Sequence, residues 1–280
     1  MKVREKIHTF GPDRGIVGIL TEPDETVARP NAPVVIASNV GLNHRVGPFR
    51  AYVDLARKLA AEGYPMLRFD LSGMGDSEPR RDNRSEFERS ILDVKAAMTS
   101  LAEKRGSKTF VQLGFCSGVD SAHAVAAEDP SVVGAVFLEG YSYPTPRFYV
   151  RRWVNRLLTS RFWEAYARRK LARYFPQYGQ RREVGEAVEI YVREYPTREK
   201  LAGDLGKMSG RGVHMLFVYC GEAEHAYNYA DQFDDTFPEL SNDPHVEVEY
   251  FPKADHLYTL LDDRSELFDR IARWMRTHFP

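Results

Sequence analysis

Six short apolar runs alternate with amphipathic segments along this 280-residue chain, and that alternation limits the folds it can adopt. The apolar runs, at residues 33–38, 65–69, 109–113, 132–138, 213–219 and 246–251, have the length and β-branched content of buried strands. Segments 48–62, 85–104, 118–127 and 258–278 place apolar residues at helical spacing. Such alternation is typical of βαβ units, so we predict an α/β fold with a mostly parallel sheet flanked by helices.

The first twenty residues predict an antiparallel hairpin at one edge of that sheet, with its turn at residues 11–13. Together with the six buried runs, the hairpin gives an expected sheet of eight strands.

Residues 141–212 interrupt the alternation, because they contain no strand pattern. We expect them to form a helical cap inserted after the sixth strand, on a core made of residues 1–140 and 213–280. The cap holds 16 Lys and Arg against 7 Asp and Glu, a net of +9, and the rest holds 23 against 33, a net of −10. Aromatic residues alternate with arginines near its start, which predicts one apolar face covering the core and one cationic face able to attract an anionic partner. The aromatic and aliphatic positions are Phe148, Trp153, Val154, Leu157, Phe162, Trp163 and Tyr166.

The overall composition excludes several classes of protein. A formal net charge of −1 argues against a general nucleic-acid binder, and two cysteines do not make a disulfide framework. The charged N-terminus has no signal-peptide core, and no apolar run approaches the roughly 20 residues of a membrane span. We therefore expect a cytoplasmic protein. No residues have metal-ligand spacing, so neither a metal nor a cofactor is predicted, and the oligomeric state stays open.

The stretch Gly114-Phe115-Cys116-Ser117-Gly118 follows a predicted strand and opens a helix of small residues. This is the context of a nucleophile held at a sharp strand-to-helix turn, with Cys116 in the central position. The N-terminus of the following helix directs free N–H groups and a positive dipole end at the thiol, which favours its thiolate form.

Several motifs together resemble those of the α/β-hydrolases. Leu67 to Ser77, "LRFDLSGMGDS", matches the Asp-x-x-Gly-x-Gly-x-Ser signature of that superfamily, and "GFCSG", "GEAE" and "ADH" fall in its nucleophile, acid and histidine positions. The longer stretch from Gly41 to Ser77 is similar to the serine aminopeptidase-like branch, which includes hydrolases found beside exosortase and natural-product gene sets. The resemblance implies the α/β-hydrolase fold over nearly the whole chain. Cys116 stands where most relatives have serine, as in the thiol members of the superfamily.

Triads in this fold run in the order nucleophile, acid, base along the chain. His256 follows the last predicted strand and is the expected base. Glu224, three residues beyond Gly221, is the preferred acid, which would accept the Nδ1 proton of His256. Glu222 and Glu139 remain alternatives for that role.

The oxyanion of an acyl intermediate needs backbone N–H donors. Ser117, the residue after the nucleophile, supplies the first, and Gly41 and Leu42 are expected to supply the second. On this interpretation the side chain of Ser117 is incidental. Asn43, His44 and Arg45 would then line the rim and bind substrate, although a salt bridge is an equally good interpretation of Arg45.

A cysteine nucleophile favours acyl exchange, because transfer of an acyl group between two thiols is nearly thermoneutral. A serine enzyme would instead form a more stable oxygen ester, which is mostly released by hydrolysis. We therefore expect an acyl-transfer enzyme with a Cys-His-Glu triad, a thioesterase or an acyltransferase. Its substrate would be a small acyl group, for which phosphopantetheine or an acidic carrier protein would suit the basic cap. A hydrolase of small esters or lactones and a non-catalytic binding protein remain as alternatives.

Overall fold

The computed structural model of the protein describes residues 3–158, 195–221 and 226–280. An eight-stranded sheet with strand order β1-β2-β4-β3-β5-β6-β7-β8 runs through these residues. Its strands are β1 (Arg4–Phe10), β2 (Ile16–Glu22), β3 (Val34–Ser38), β4 (Met66–Phe69), β5 (Phe110–Phe115), β6 (Val132–Leu138), β7 (His214–Cys220) and β8 (Val246–Phe251). β1 and β2 pair antiparallel at one edge, and β3 to β8 are parallel to one another. The predicted fold and edge hairpin are therefore confirmed.

Seven α-helices accompany the sheet within the described residues. They are α1 (Ala51–Ala61), α2 (Glu86–Arg105), α3 (Gly118–Glu128), α4 (Pro146–Leu158), α5 (Arg198–Gly210), α6 (Gln232–Thr236) and α7 (Leu261–His278). Ser85 caps α2 through a reciprocal capping box with Glu88, and Gly106 closes the helix in the left-handed conformation. No helix in these stretches combines the length and hydropathy required to cross a bilayer.

The core lies on both faces of the sheet, as alternation along each strand requires. In β3, Val34 and Ile36 join the cluster that packs against α2, α3 and α5, whereas Val35 and Ala37 join the cluster under α1 and α7. Because the central strands are covered on both faces, they consist of nearly uninterrupted apolar residues.

Helix starts are the main local departure from expectation. The pattern at residues 48–62 predicts one helix, but Pro48–Arg50 forms a separate 3-10 turn with Phe49 and Arg50 at positive φ. The last helix begins at Leu261 instead of residue 258, because Tyr258 has a φ of 51°. A left-handed residue cannot continue a right-handed helix, so both helices begin after it.

The cap is described only at its two ends. In α4 the apolar face predicted to cover the core does so at Phe148, but Trp153, Val154 and Leu157 are about half exposed, so that part of the prediction is wrong. Phe162, Trp163 and Tyr166 lie outside the described residues. At the other end α5 buries Leu201, Leu205 and Met208 in the main core cluster, so it packs as a core helix against α3 and β7.

Candidate active site

The carboxyl ends of β5, β6 and β7 meet at one edge of the sheet, together with the loop after β8. Cys116 follows β5, Glu139 follows β6, Cys220 ends β7 and His256 lies in the loop after β8. Open α/β sheets place their ligand sites at this edge. The topology therefore brings four reactive side chains together from points 140 residues apart in sequence, from 116 to 256.

Cys116 occupies a sharp turn between β5 and α3. Its φ is 50°, and its N–H donates to the carbonyl oxygen of Leu138 at 2.8 Å. The side chain is partly exposed. A non-glycine residue in this conformation is strained, and such strain concentrates at functional sites.

The two glycines that flank this turn have different roles. A Cβ atom at Gly114 would lie 2.5 Å from the Cα of Val119, so only glycine allows β5 and α3 to approach this closely. At Gly118 the nearest atom, the carbonyl oxygen of Asn39, would be 3.5 Å away, an ordinary contact. The close approach of β5 and α3 therefore depends on Gly114 and not on Gly118.

His256 lies beside Cys116, with its ring 5.8 Å from that of Phe115 and its side chain 38 % exposed. Hydrogen bonding with Cys116 is the largest cause of a raised pKa for His256, and Cys220 and Glu139 add to it. Against the opposing effect of burial, these contacts raise the pKa of His256 to about 12. An imidazolium that persists beside a thiol stabilises the thiolate, as in cysteine nucleophiles paired with histidine.

Glu139 is the carboxylate that the structure places against His256. Its Oε2 atom lies 3.7 Å from the Nδ1 atom of His256, an ion-pair distance longer than a direct hydrogen bond. Its Oε1 accepts a hydrogen bond from the hydroxyl of Tyr258 at 3.2 Å. Glu139 is buried and has a φ of 51°. The preferred acid, Glu224, and its neighbour Glu222 lie outside the described residues.

Cys220 is a member of this cluster that sequence reasoning missed. It is fully buried at the end of β7 and hydrogen-bonds with His256. Ligand atoms of Glu139, Cys220 and His256 all lie within 4.8 Å of one another. Its position at the end of a strand was visible in the sequence, but the strands beside it and its distance from His256 were not.

Ser117 has a second function besides its backbone N–H. Its Oγ accepts a hydrogen bond from the N–H of Gly41 at 3.0 Å, so the side chain ties the loop after β3 to the turn that holds Cys116. The view that this side chain is incidental is therefore wrong. In this arrangement the N–H of Gly41, one of the expected oxyanion donors, is directed at Ser117.

The buried side chain of Asn39 anchors the loop after β3 through hydrogen bonds. Sequence reasoning also missed this residue. The amide of Asn39 donates to the carbonyl oxygen of Gly41 at 2.8 Å and accepts from the N–H of Leu71 at the same distance. Above it, Leu42, Asn43 and His44 are exposed, and the Leu42 side chain is 93 % accessible. These exposed residues therefore lie on a loop whose base is fixed by Asn39.

Arg45 adopts the salt-bridge arrangement. Its guanidinium pairs with the buried Asp70 and lies 2.6 Å from the carboxylate of Asp76, and its backbone N–H also donates to Asp70. Ser77 donates to the carbonyl oxygen of Asp70 at 2.7 Å and accepts from the N–H of Val17 at 2.9 Å. The Asp-x-x-Gly-x-Gly-x-Ser motif therefore joins β2, β4 and the rim loop.

The model of one protein family, described as serine aminopeptidase, S33, matches residues 34–202, which is more than half of the chain. No curated protein matches the chain in a comparison of sequences.

Solved structures share the fold at low sequence identity. An esterase from Pyrococcus furiosus is 16 % identical with a TM-score of 0.59, and the match covers 100 % of this chain and 93 % of that one. A proline iminopeptidase from Mycobacterium smegmatis is 19 % identical with a TM-score of 0.57, covering 98 % of each chain. The esterase domain of a Rhodothermus marinus protein is 19 % identical with a TM-score of 0.56, covering 98 % of this chain and 99 % of that one. From the family match and this fold we conclude that the chain belongs to the serine aminopeptidase S33 family of α/β-hydrolases.

Proposed function

We propose that the protein is an acyl-transfer enzyme in which Cys116 forms a covalent thioester with the acyl group of its substrate. The observation that carries this proposal is the contact between Cys116, held at a φ of 50° in the strand-to-helix turn, and His256, whose pKa is raised. A nucleophile and a base in contact, with the base facing a third group, is the arrangement that covalent catalysis requires.

In the first step the sulfur of Cys116 attacks the substrate carbonyl carbon, and the carbonyl oxygen becomes an oxyanion near the N–H of Ser117 at the start of α3. The bond to the leaving thiol or alcohol then breaks, and the imidazolium of His256 gives its proton to that leaving group. In the second step His256, now neutral, takes a proton from the incoming water or thiol. The acceptor attacks the thioester and Cys116 leaves as the thiolate.

Glu139 is the carboxylate we assign to His256 within the described residues. Its Oε2 faces Nδ1 at 3.7 Å, and its burial and its hydrogen bond from Tyr258 fix its orientation. A carboxylate at this position holds the imidazole in the productive orientation and stabilises its charged form.

The cysteine favours a thioester substrate, because exchange between thiols is nearly thermoneutral. The start of α4 presents Arg151 and Arg152 to solvent, in keeping with a substrate carried on an anionic group such as phosphopantetheine or an acidic carrier protein, whereas Arg147 pairs with Asp231 and Asp235. Thioesterase and acyltransferase activity differ only in whether water or another nucleophile accepts the acyl group.

The test is intact mass spectrometry of the wild type and of Cys116→Ala after exposure to a panel of acyl-S-pantetheine thioesters. We expect an acyl-sized mass increase on the wild type that the variant lacks. Addition of a thiol acceptor then separates the two activities, since acylated acceptor indicates transfer and free acid alone indicates hydrolysis. No adduct and no turnover with any thioester or ester would reject the catalytic proposal and favour a binding protein.

Cys220 provides an internal control for labelling. It is fully buried, whereas Cys116 is partly exposed, so iodoacetamide near neutral pH should modify Cys116 much faster. Equal and slow modification of both thiols would contradict an activated Cys116.

A hydrolase of simple carboxylic esters or lactones is the second candidate. It is favoured by the similarity of the fold to two proteins described as esterases, from Pyrococcus furiosus and Rhodothermus marinus. Turnover of p-nitrophenyl esters without detectable turnover of acyl-S-pantetheine would support it.

A further inference from the structure

We propose that Glu139, Cys220 and His256 form a binding site for a thiophilic divalent cation, Zn²⁺, and that the bound ion switches the enzyme off. Ligand atoms of the three residues lie within 4.8 Å of one another, and no such group was visible in the sequence. Thiolate, imidazole and carboxylate are the three side-chain ligands that Zn²⁺ uses. The inhibitory consequence rests on the proposed function, whereas the binding itself does not.

The ligands come from three neighbouring strands at one edge of the sheet. Glu139 follows β6, Cys220 ends β7 and His256 follows β8, and these strands pair in register. Glu139 and Cys220 are buried, while the His256 side chain is 38 % exposed, which leaves an entry path on the His256 side. Two fixed ligands and one accessible ligand make a site that can be loaded from solvent.

The end of β7 holds Cys220 rigidly. The N–H of Gly221 donates to the carbonyl oxygen of Phe251 at 2.9 Å, and a Cβ atom at Gly221 would lie 2.1 Å from the carbonyl oxygen of Pro252. β7 and β8 are therefore packed backbone to backbone where the thiol lies. A ligand on so rigid an element loses little conformational entropy when the ion binds.

The distances suit a tetrahedral ion after a small contraction. Zn²⁺ bonds of about 2.0 to 2.3 Å place tetrahedral ligands about 3.3 to 3.8 Å apart. Glu139 Oε2 and His256 Nδ1 are already 3.7 Å apart, and since every pair in the group lies within 4.8 Å, none has to close by more than about 1.5 Å. Three protein ligands leave the fourth position to water, and binding releases the thiol proton of Cys220 and the Nδ1 proton of the His256 imidazolium to solvent.

Occupancy would inactivate the proposed base for a simple chemical reason. A neutral imidazole carries one proton, and an ion on Nδ1 forces that proton onto Nε2. Nε2 then has no lone pair with which to accept a proton from an incoming water or thiol. The ion also replaces the hydrogen on Nδ1, so Glu139 can no longer orient the imidazole ring through that hydrogen.

The experiment uses Co²⁺, which replaces Zn²⁺ and gives a thiolate-to-metal charge-transfer band. We expect the wild type to bind one equivalent with that band. Cys116→Ala, which removes a thiol of the same pocket, should keep the band and bind at least as tightly, because loss of Cys116 lowers the pKa of His256 and so makes the imidazole easier to deprotonate. Cys220→Ser should lose the band and bind at least about 100-fold more weakly. Glu139→Gln should keep the band and bind more weakly, which tests the site even if Cys220→Ser misfolds.

Enzyme activity gives a separate readout. Zn²⁺ should abolish wild-type turnover at the concentration that fills the site, and a chelator should restore it. If the metal binds and the band appears but turnover continues, the inhibitory role alone is overturned. If the wild type shows no turnover at all, the proposed function is rejected. The Co²⁺ band then still decides whether the metal site exists. Absence of the band from the wild type, its loss in Cys116→Ala, or unchanged affinity in Glu139→Gln would each overturn the three-residue site.

Discussion

The Nδ1 atom of His256 lies 3.7 Å from Oε2 of Glu139, a buried carboxylate at the end of β6. This pairing predicts that Glu139→Gln lowers kcat on an acyl thioester by about 10²- to 10⁴-fold, because the imidazole loses its orienting anion. Glu224→Gln is the matched comparison, and we expect little change from it. A large loss in Glu224→Gln with near-normal turnover in Glu139→Gln would assign the acid to the loop after β7 instead.

The protonation state of His256 gives a second prediction. Hydrogen bonding with Cys116 is the largest cause of the raised pKa of His256, and Cys220 and Glu139 add to it, so the imidazolium should persist as the pH rises through about 6.5. The ring proton resonances, assigned with His256→Gln, should therefore keep their low-pH positions through pH 8. Cys116→Ala removes the largest cause, so the pKa should fall. A wild-type midpoint near 6.5, unaltered in Cys116→Ala, would contradict the pairing.

The close approach of β5 and α3 predicts a stability difference between two similar substitutions. Gly114→Ala places a methyl group 2.5 Å from the Cα of Val119 and should lower the free energy of unfolding by about 1 to 3 kcal/mol or more. Gly118→Ala meets nothing nearer than 3.5 Å and should leave stability nearly unchanged. Urea titrations of both variants provide the measurement. Equal losses of stability in the two variants would mean that the contact between residue 114 and Val119 does not exclude a side chain at residue 114.

The two carboxylates that pair with Arg45 should contribute very different amounts to the free energy of unfolding. Asp70 is fully buried, so Asp70→Asn leaves the guanidinium without its main partner and should cost about 3 to 5 kcal/mol of stability. Asp76 is 64 % exposed, and Asp76→Asn should cost less than about 1 kcal/mol. Denaturant midpoints compare the two. If Arg45 served mainly to bind substrate, Asp70→Asn would raise KM with little loss of stability.

Much of the architecture follows from local patterns in the chain. β6 and β8 have the predicted bounds, and the other buried strands differ by one or two residues, because continuous apolar runs bounded by turns specify buried strands. The turn at Cys116 is also local, since Gly114, Cys116 and α3 are adjacent in sequence. The helix starts at Ala51 and Leu261 were misplaced because left-handed residues before them leave no pattern in composition.

Only the tertiary structure decides which side chains meet at the carboxyl edge of the sheet. The order of strands β5 to β8 places Glu139 and Cys220 beside His256, although 117 residues separate Glu139 from that histidine. Spacing along the chain favoured Glu224, which lies outside the described residues, and gave no sign that Cys220 lies beside His256. Strand pairing and side-chain direction set distances between residues far apart in sequence, so the sequence determines the fold and the sharp turn at Cys116, and packing determines which side chains surround that turn.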